Sequence, residues 1–480
     1  MDNSHFGCFG GICLITIQEL EIMERGLLAV KRAKELGRPI LISEVHKMDT
    51  INPLSFFNIG KEQFRGERFF WKDPEDETVL IGLGISKQIQ SDQDSDRFFH
   101  VEEEWEKFLR DCLIFNPYTE MGIGPVMFGG FSFDPCKEKT TLWSKYANSL
   151  FHLPKYLLSI IDGQTFLTTN TVCTPHEDPY LFKKVSEERN EILNALHQSE
   201  PKKSVAALLE MKEIGSERWK KTVDGVVKEL TDGPLKKVVL ARELRLVFDD
   251  QVMAENVLSN LYMQQHESFI FAFESNGDCF IGASPERLVK KQGNEVYSTC
   301  LAGSISRGKT EEEDLKLGQM LLNDQKNLKE HGFVVEMIKE ALEESCEEII
   351  LPEKPQLMKI RDIQHLYTPV VGKCHKDASL MLLVERLHPT PALGGLPKEE
   401  AVVKIREVEE LDRGFYAAPL GWMDYRKNGE FAVSIRSGLI QGEEVSLFAG
   451  CGVVADSESE SEYLETSLKF KPMLRALGGN

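Results

Sequence analysis

Three residues near the end of the chain could do chemistry together. Glu462 and Glu465 lie three apart and Lys469 follows four later, so on a helix all three share one face. Two carboxylates there could hold a hard cation; by spacing alone, a solvated acidic face with an ordinary Glu–Lys pair explains them better. Upstream, Phe448-Ala449-Gly450-Cys451-Gly452 sets two glycines one residue apart, which would let backbone N–H groups approach an anion. A tight strand end accounts for such a pair equally simply. Gly282-Ala283-Ser284-Pro285-Glu286 ends a strand in a turn and then presents a carboxylate, either a surface Glu or a catalytic acid aimed by the scaffold. Lys236 and Lys237 open the strand-forming run Val238 to Arg242, so one lysine must point inward, where it is costly without a partner or a task. Glu330 and His331 read, from spacing alone, as surface residues of a helix.

The elements that must position these residues are legible from about Ser216 onward. A helix is predicted from Ser216 to Leu230, stopped by Asp232-Gly233-Pro234, and a strand from Lys237 to Val247. Further strands follow at Ser268 to Glu274 and between Phe280 and Leu301, then one long helix from about Glu311 to Glu344. Hairpin-like strands from Gly414 to Val454 precede a last helix, Glu460 to Leu477. Before about Glu200 the pattern is short strands and charged loops such as Lys87 to Arg97. Strands grouped with strands imply an α+β fold. Residues 211–478 form the region richest in candidate chemistry, and residues 1–210 are expected to complete the same unit.

Composition sets limits on the function. The formal net charge of −20 argues against nucleic acid, because a phosphate-binding surface needs clustered Lys and Arg. It also means that any anionic ligand needs a local concentration of cations, N–H groups or metal. No apolar run approaches the roughly 18 residues of a membrane span. Phe6 to Ile17 lacks a basic n-region and reads as a short strand rather than a secretory signal. Ten cysteines with no CxxC pair suggest reduced thiols in a cytoplasm.

Taken in order, the segments resemble the chorismate-binding enzymes, which include isochorismate, salicylate, anthranilate and aminodeoxychorismate synthases. The strings are Lys237 to Arg242, Gly282 to Glu286, Leu301-Ala-Gly-Ser304, Lys329-Glu-His331, Gln364-His-Leu366, His388 to Gly395, Ser434-Ile-Arg436, Phe448 to Gly452 and Glu462 to Thr466. The resemblance implies a large antiparallel β-sandwich flanked by helices, acting on chorismate. Lys237, where anthranilate synthases carry Gln, is similar to the water-activating base of the isochorismate and salicylate enzymes. Ala302 and Ala392 stand where aminating or lyase members carry Lys, Thr or Ser, which points to isochorismate formation without an amidotransferase subunit. Asn52 to Phe57, Phe69 to Trp71 and Phe128 to Pro135 look like the menaquinone branch.

The same resemblance implies that Lys237 removes a proton from water entering at C2 while Glu286 protonates the departing C4 hydroxyl. Free Lys titrates near ~10.4 and free Glu near ~4.3, so these roles need opposite shifts. Magnesium is implied at Glu330 and Glu465, with Glu462 assisting through water. Lys469, Arg436, Tyr416 and the N–H groups of Gly450 and Gly452 would clamp carboxylates, and Gly303, Ser304, His365, Ala392 and Leu393 would line the ring. The alternatives are a salicylate synthase, an aminating subunit, or an inactive chorismate-binding module.

Overall fold

Side-chain alternation explains how the chain builds its layers. In the strand Arg68–Lys72, Phe69 and Trp71 face one core while Phe70 faces another. In its antiparallel neighbour Phe269–Ser275, Phe271 and Phe273 share the first core, Ile270 and Ala272 the second. The first core lies between sheet layers, and Phe69 stacks on Phe128 of the strand Val126–Phe131 with ring centroids 4.4 Å apart. The second lies between sheet and helices, including Ala254–Gln264 and Ser459–Ala476.

The computed structural model describes residues 9–196 and 206–479. One ladder runs from Leu208–Ile214 through Lys237–Phe248, Glu444–Val453, Ser437–Gln441, Asp278–Ser284 and Phe269–Ser275 to Arg68–Lys72, Thr78–Ser91 and Ser149–Ile161. From that last strand a second ladder leaves through Val126–Phe131, Pro419–Asp424, Gly429–Val433, Arg287–Gln292 and Glu295–Ser306 to Ile363–Cys374. These pairings are antiparallel; Ile40–Met48 with Leu113–Phe115 is parallel. The result is the expected α+β architecture of antiparallel sheet with helices outside. Among the described residues no helix is long and apolar enough to cross a membrane.

Three local expectations need correction. The helix expected over Glu311 to Glu344 is two, Glu311–Asn323 and Gln325–Glu343, because Asp324 takes an extended conformation and its carboxylate accepts from the N–H groups of Lys326 and Asn327. The apolar run from Phe6 is helical from Phe9, within Phe9–Leu36, rather than a strand; Ala29, Val30 and Ala33 bury one side of that helix at helical spacing. Residues 6–8 lie outside the described residues. Early strands are also long, 14 residues for Thr78–Ser91 and 13 for Ser149–Ile161, because each pairs along the whole of the other, and the charged loop expected from Lys87 is strand as far as Ser91.

Candidate active site

The strand Lys237–Phe248 begins with the inward lysine the alternation demands: Lys237 is buried, and its ammonium forms an ion pair with Glu330. Gly452, opposite Val239 in the neighbouring strand, makes this possible, because a Cβ there would lie 2.4 Å from Lys237 Cε. Neither Gly450 nor Gly452 lies in a loop concavity. Both belong to the regular strand Glu444–Val453, and what their missing side chains visibly provide is clearance for Lys237 and for the Tyr416 hydroxyl.

Two helices bring the carboxylates. Glu330 is on Gln325–Glu343, which His331 pins to the sheet: its ring nitrogens sit 2.9 Å from the Ala302 carbonyl and 2.7 Å from Thr368 Oγ1. The surface reading of this segment therefore fails, since His331 is buried and Glu330 faces a cavity. Glu465 is on Ser459–Ala476, where Lys469 Nζ bonds its carboxylate at 2.6 Å and the Gly450 carbonyl at 2.8 Å. Arg242 ties that helix to the Lys237 strand by donating to Thr466 Oγ1 at 2.8 Å and Ser467 Oγ at 2.7 Å.

Lys237, Glu330, Glu465 and Lys469 line a cavity of about 200 Å³ together with Glu286, Ala302, Ser304 and His365. A register shift between Leu301 and Ser304, with Gly303 at φ +86°, aims Ser304 Oγ at His365 Nδ1, 2.7 Å away. Ala392, Leu393, Tyr416 and Arg436 close the other side. Every residue singled out for the site except Glu462 lines this cavity; Glu462 instead accepts a hydrogen bond from Ser457 Oγ at 2.7 Å. Sequence reasoning missed Arg413 and Asn327. Arg413 is a positioning residue, donating to both oxygens of Glu409 at 2.7 Å and to the carbonyls of Leu393 and Val239. Its signal was the basic residue in Asp412-Arg413-Gly414, three before Tyr416. Asn327 stands one helical turn before Glu330, a spacing that does point to it.

The electrostatics are distinctive. Burial pushes the Glu286 carboxyl up to about 7 against the attraction of Lys237, Arg436 and Lys469. Burial likewise drives His365 down to about 3, so its ring is neutral, and its Nε2 has no hydrogen-bond partner among the described residues. The two lysines are matched by Glu330 and Glu465. Arg436 is buried, at φ +52°, and its guanidinium has no ion-pair partner among the described residues. A protein of net charge −20 thus keeps an unmatched cation facing a cavity, as an anionic ligand requires.

Glu330 and Glu465 present only oxygen, the donor chemistry of a hard cation that keeps several waters. Both are partly exposed, at 31% and 50% of their side chains. In that respect they fit such an ion, although each carboxylate is occupied by a lysine here. The one described trio with converging ligand atoms, His100, Glu103 and Glu104, is elsewhere. A second cavity of about 230 Å³ lies beside Trp219, Leu240 and Arg242 but gathers none of the candidate catalytic groups.

An antiparallel α+β shell around a small cavity holding an inward lysine, a protonatable glutamate and an unmatched arginine defines an acid–base site open to an anionic ligand. The chain belongs to the chorismate-binding enzymes, whose family model matches residues 28–478. It is 44% identical over 473 residues to isochorismate synthase MenF of Bacillus subtilis, covering 97% of this chain and 99% of that one. It is 34% identical to the salicylate biosynthesis isochorismate synthase of Pseudomonas aeruginosa, covering 94% of each. Its fold matches the menaquinone-specific isochorismate synthase MenF of Escherichia coli with a TM-score of 0.75 at 22% identity, over 94% of this chain and 99% of that one.

Proposed function

We infer that this protein is an isochorismate synthase, converting chorismate to isochorismate for menaquinone biosynthesis. The single observation that carries the reading is the near full-length 44% identity to an isochorismate synthase, joined to a cavity in which a lysine faces a glutamate whose carboxyl is pushed up to about 7.

The reaction adds water at C2 and removes hydroxyl from C4, so the product is an isomer of the substrate. Lys237, as the free amine rather than the ammonium paired with Glu330, takes a proton from the incoming water, and Glu286 gives one to the departing oxygen. After one forward turnover the proton is on Lys237 and absent from Glu286, which is the starting state for the reverse reaction. Arg436 and Lys469 pair with substrate carboxylates through charge-assisted hydrogen bonds, and the Tyr416 hydroxyl adds a donor. His365, held by Ser304, presents Nε2 toward the ring. Glu330 and Glu465 would hold magnesium, whose chemistry is to neutralise the ring carboxylate. A cytoplasmic location suits the free thiols of the described cysteines.

The test is incubation of purified protein with chorismate and magnesium, with chromatographic separation and mass analysis of the products. Isochorismate is expected; salicylate with pyruvate would instead make the enzyme a lyase as well. Lys237→Ala and Glu286→Gln should each lose product formation while still binding chorismate by calorimetry. Normal turnover in either variant would reject the assigned role.

A further inference from the structure

Outside the active site, Cys346 and Cys374 are the two described cysteines whose sulfurs meet. Cys346 opens the strand Cys346–Ile350 and Cys374 ends the strand Ile363–Cys374; they are direct partners in the antiparallel ladder, with sulfurs 3.1 Å apart. The Cys374 N–H points away, to the Asn294 carbonyl at 2.7 Å, while His375 N–H donates to the Ser345 carbonyl just beyond the pair at 3.0 Å. The cysteines therefore form a non-hydrogen-bonded pair, the closer of the two antiparallel spacings, with Cα atoms about 4.5 Å apart. That lies inside the range a disulfide spans. Gly372 gives the sulfur its room, since a Cβ there would meet Cys346 Sγ at 2.8 Å.

We propose that Cys346 and Cys374 are a site of reversible oxidation, joined as a disulfide by hydroperoxides. Both sulfurs are buried, but the adjacent Glu347 and His375 are more than half exposed, so a small oxidant needs to pass only one layer of side chains. Cys374 is the attacking sulfur. The S–H of Cys346, when Cys346 is the donor of their contact, and the Lys291 ammonium nearby favour its thiolate. That thiolate attacks the terminal oxygen of the hydroperoxide, the O–O bond breaks, and the alkoxide or hydroxide leaves and takes up a proton. The resulting sulfenic acid is attacked by Cys346 sulfur; the S–O bond breaks and water departs with the Cys346 proton. Two thiols lose two electrons, and one hydroperoxide becomes an alcohol or water plus water. Among the described residues no other two sulfurs are in hydrogen-bond contact. The bond would fasten the strand that follows the Glu330 helix to the strand that carries His365.

The full-length protein is treated with hydrogen peroxide, unfolded in an alkylating reagent, digested and mass-mapped. The expected result is one linked pair of peptides containing positions 346 and 374, lighter by two hydrogens and separated by dithiothreitol. The unfolding temperature of the oxidised protein should lie above that of the reduced protein. In Cys346→Ala, peroxide should leave a sulfenic acid at Cys374 that dimedone traps. Full alkylation of both thiols after peroxide, or oxidation of Cys374 to sulfinic acid with no link, overturns the proposal in the wild-type protein even if the variant does not fold.

Discussion

Glu286 carries the sharpest consequences at the scale of single residues. Its folded value of about 7 stands above the ordinary 4.5, so between those values the native protein holds a proton that the unfolded chain has released. Stability from this group is present at low pH and is lost as pH rises through about 7, a loss on the order of 3 kcal/mol. Glu286→Gln should therefore melt higher than wild type at roughly pH 8.5, with little difference at roughly pH 4. Thermal unfolding at the two pH values checks this. In the wild type the same ionisation should reduce kcat/KM for chorismate as pH rises through about 7, because the acid form is the proton donor. Arg436 is expected to act mainly in binding. Removing its charged hydrogen bonds in Arg436→Ala should weaken chorismate binding roughly 10- to 100-fold by calorimetry, with circular dichroism unchanged.

At the scale of elements, the site depends on how closely strands and helices approach. Gly452→Ala would put a methyl group against Lys237 Cε, at 2.4 Å before any adjustment. Lys237 must then swing out of line, and kcat is expected to fall about 100-fold with the fold retained. Unchanged kcat would show that the amine need not cross Gly452. The helix carrying Glu465 is held by Arg242, whose guanidinium lies over the Tyr463 ring at 4.3 Å as well as bonding Thr466 and Ser467. Arg242→Ala should lower the unfolding temperature and weaken magnesium binding in the absence of chorismate; titration calorimetry reads the second effect separately from turnover.

At the scale of the whole molecule, both sheet layers depend on the aromatic core between them. Phe128 contacts Phe69, Trp71 and Phe273 and is fully buried. Phe128→Ala should cost about 3–5 kcal/mol by denaturant unfolding. Because Phe128 does not line the cavity, KM should stay close to wild type in the fraction that remains folded.

The order of motifs from Lys237 to Lys469, the inward lysine and the α+β class were legible in the sequence by itself. Each is a local property: a period-2 strand has only two faces, and a helix puts i, i+3 and i+4 on one side. Asp324 as a helix break is equally local, but the polar–apolar period runs through it without interruption and only its capping bonds mark the break. Only the tertiary structure decided that His331 is buried, that Arg413 braces Leu393 against Val239, and that Cys374 meets Cys346. Those facts depend on which distant strands become neighbours and how far the low-dielectric interior extends around a side chain. Spacing along the chain carries no record of either.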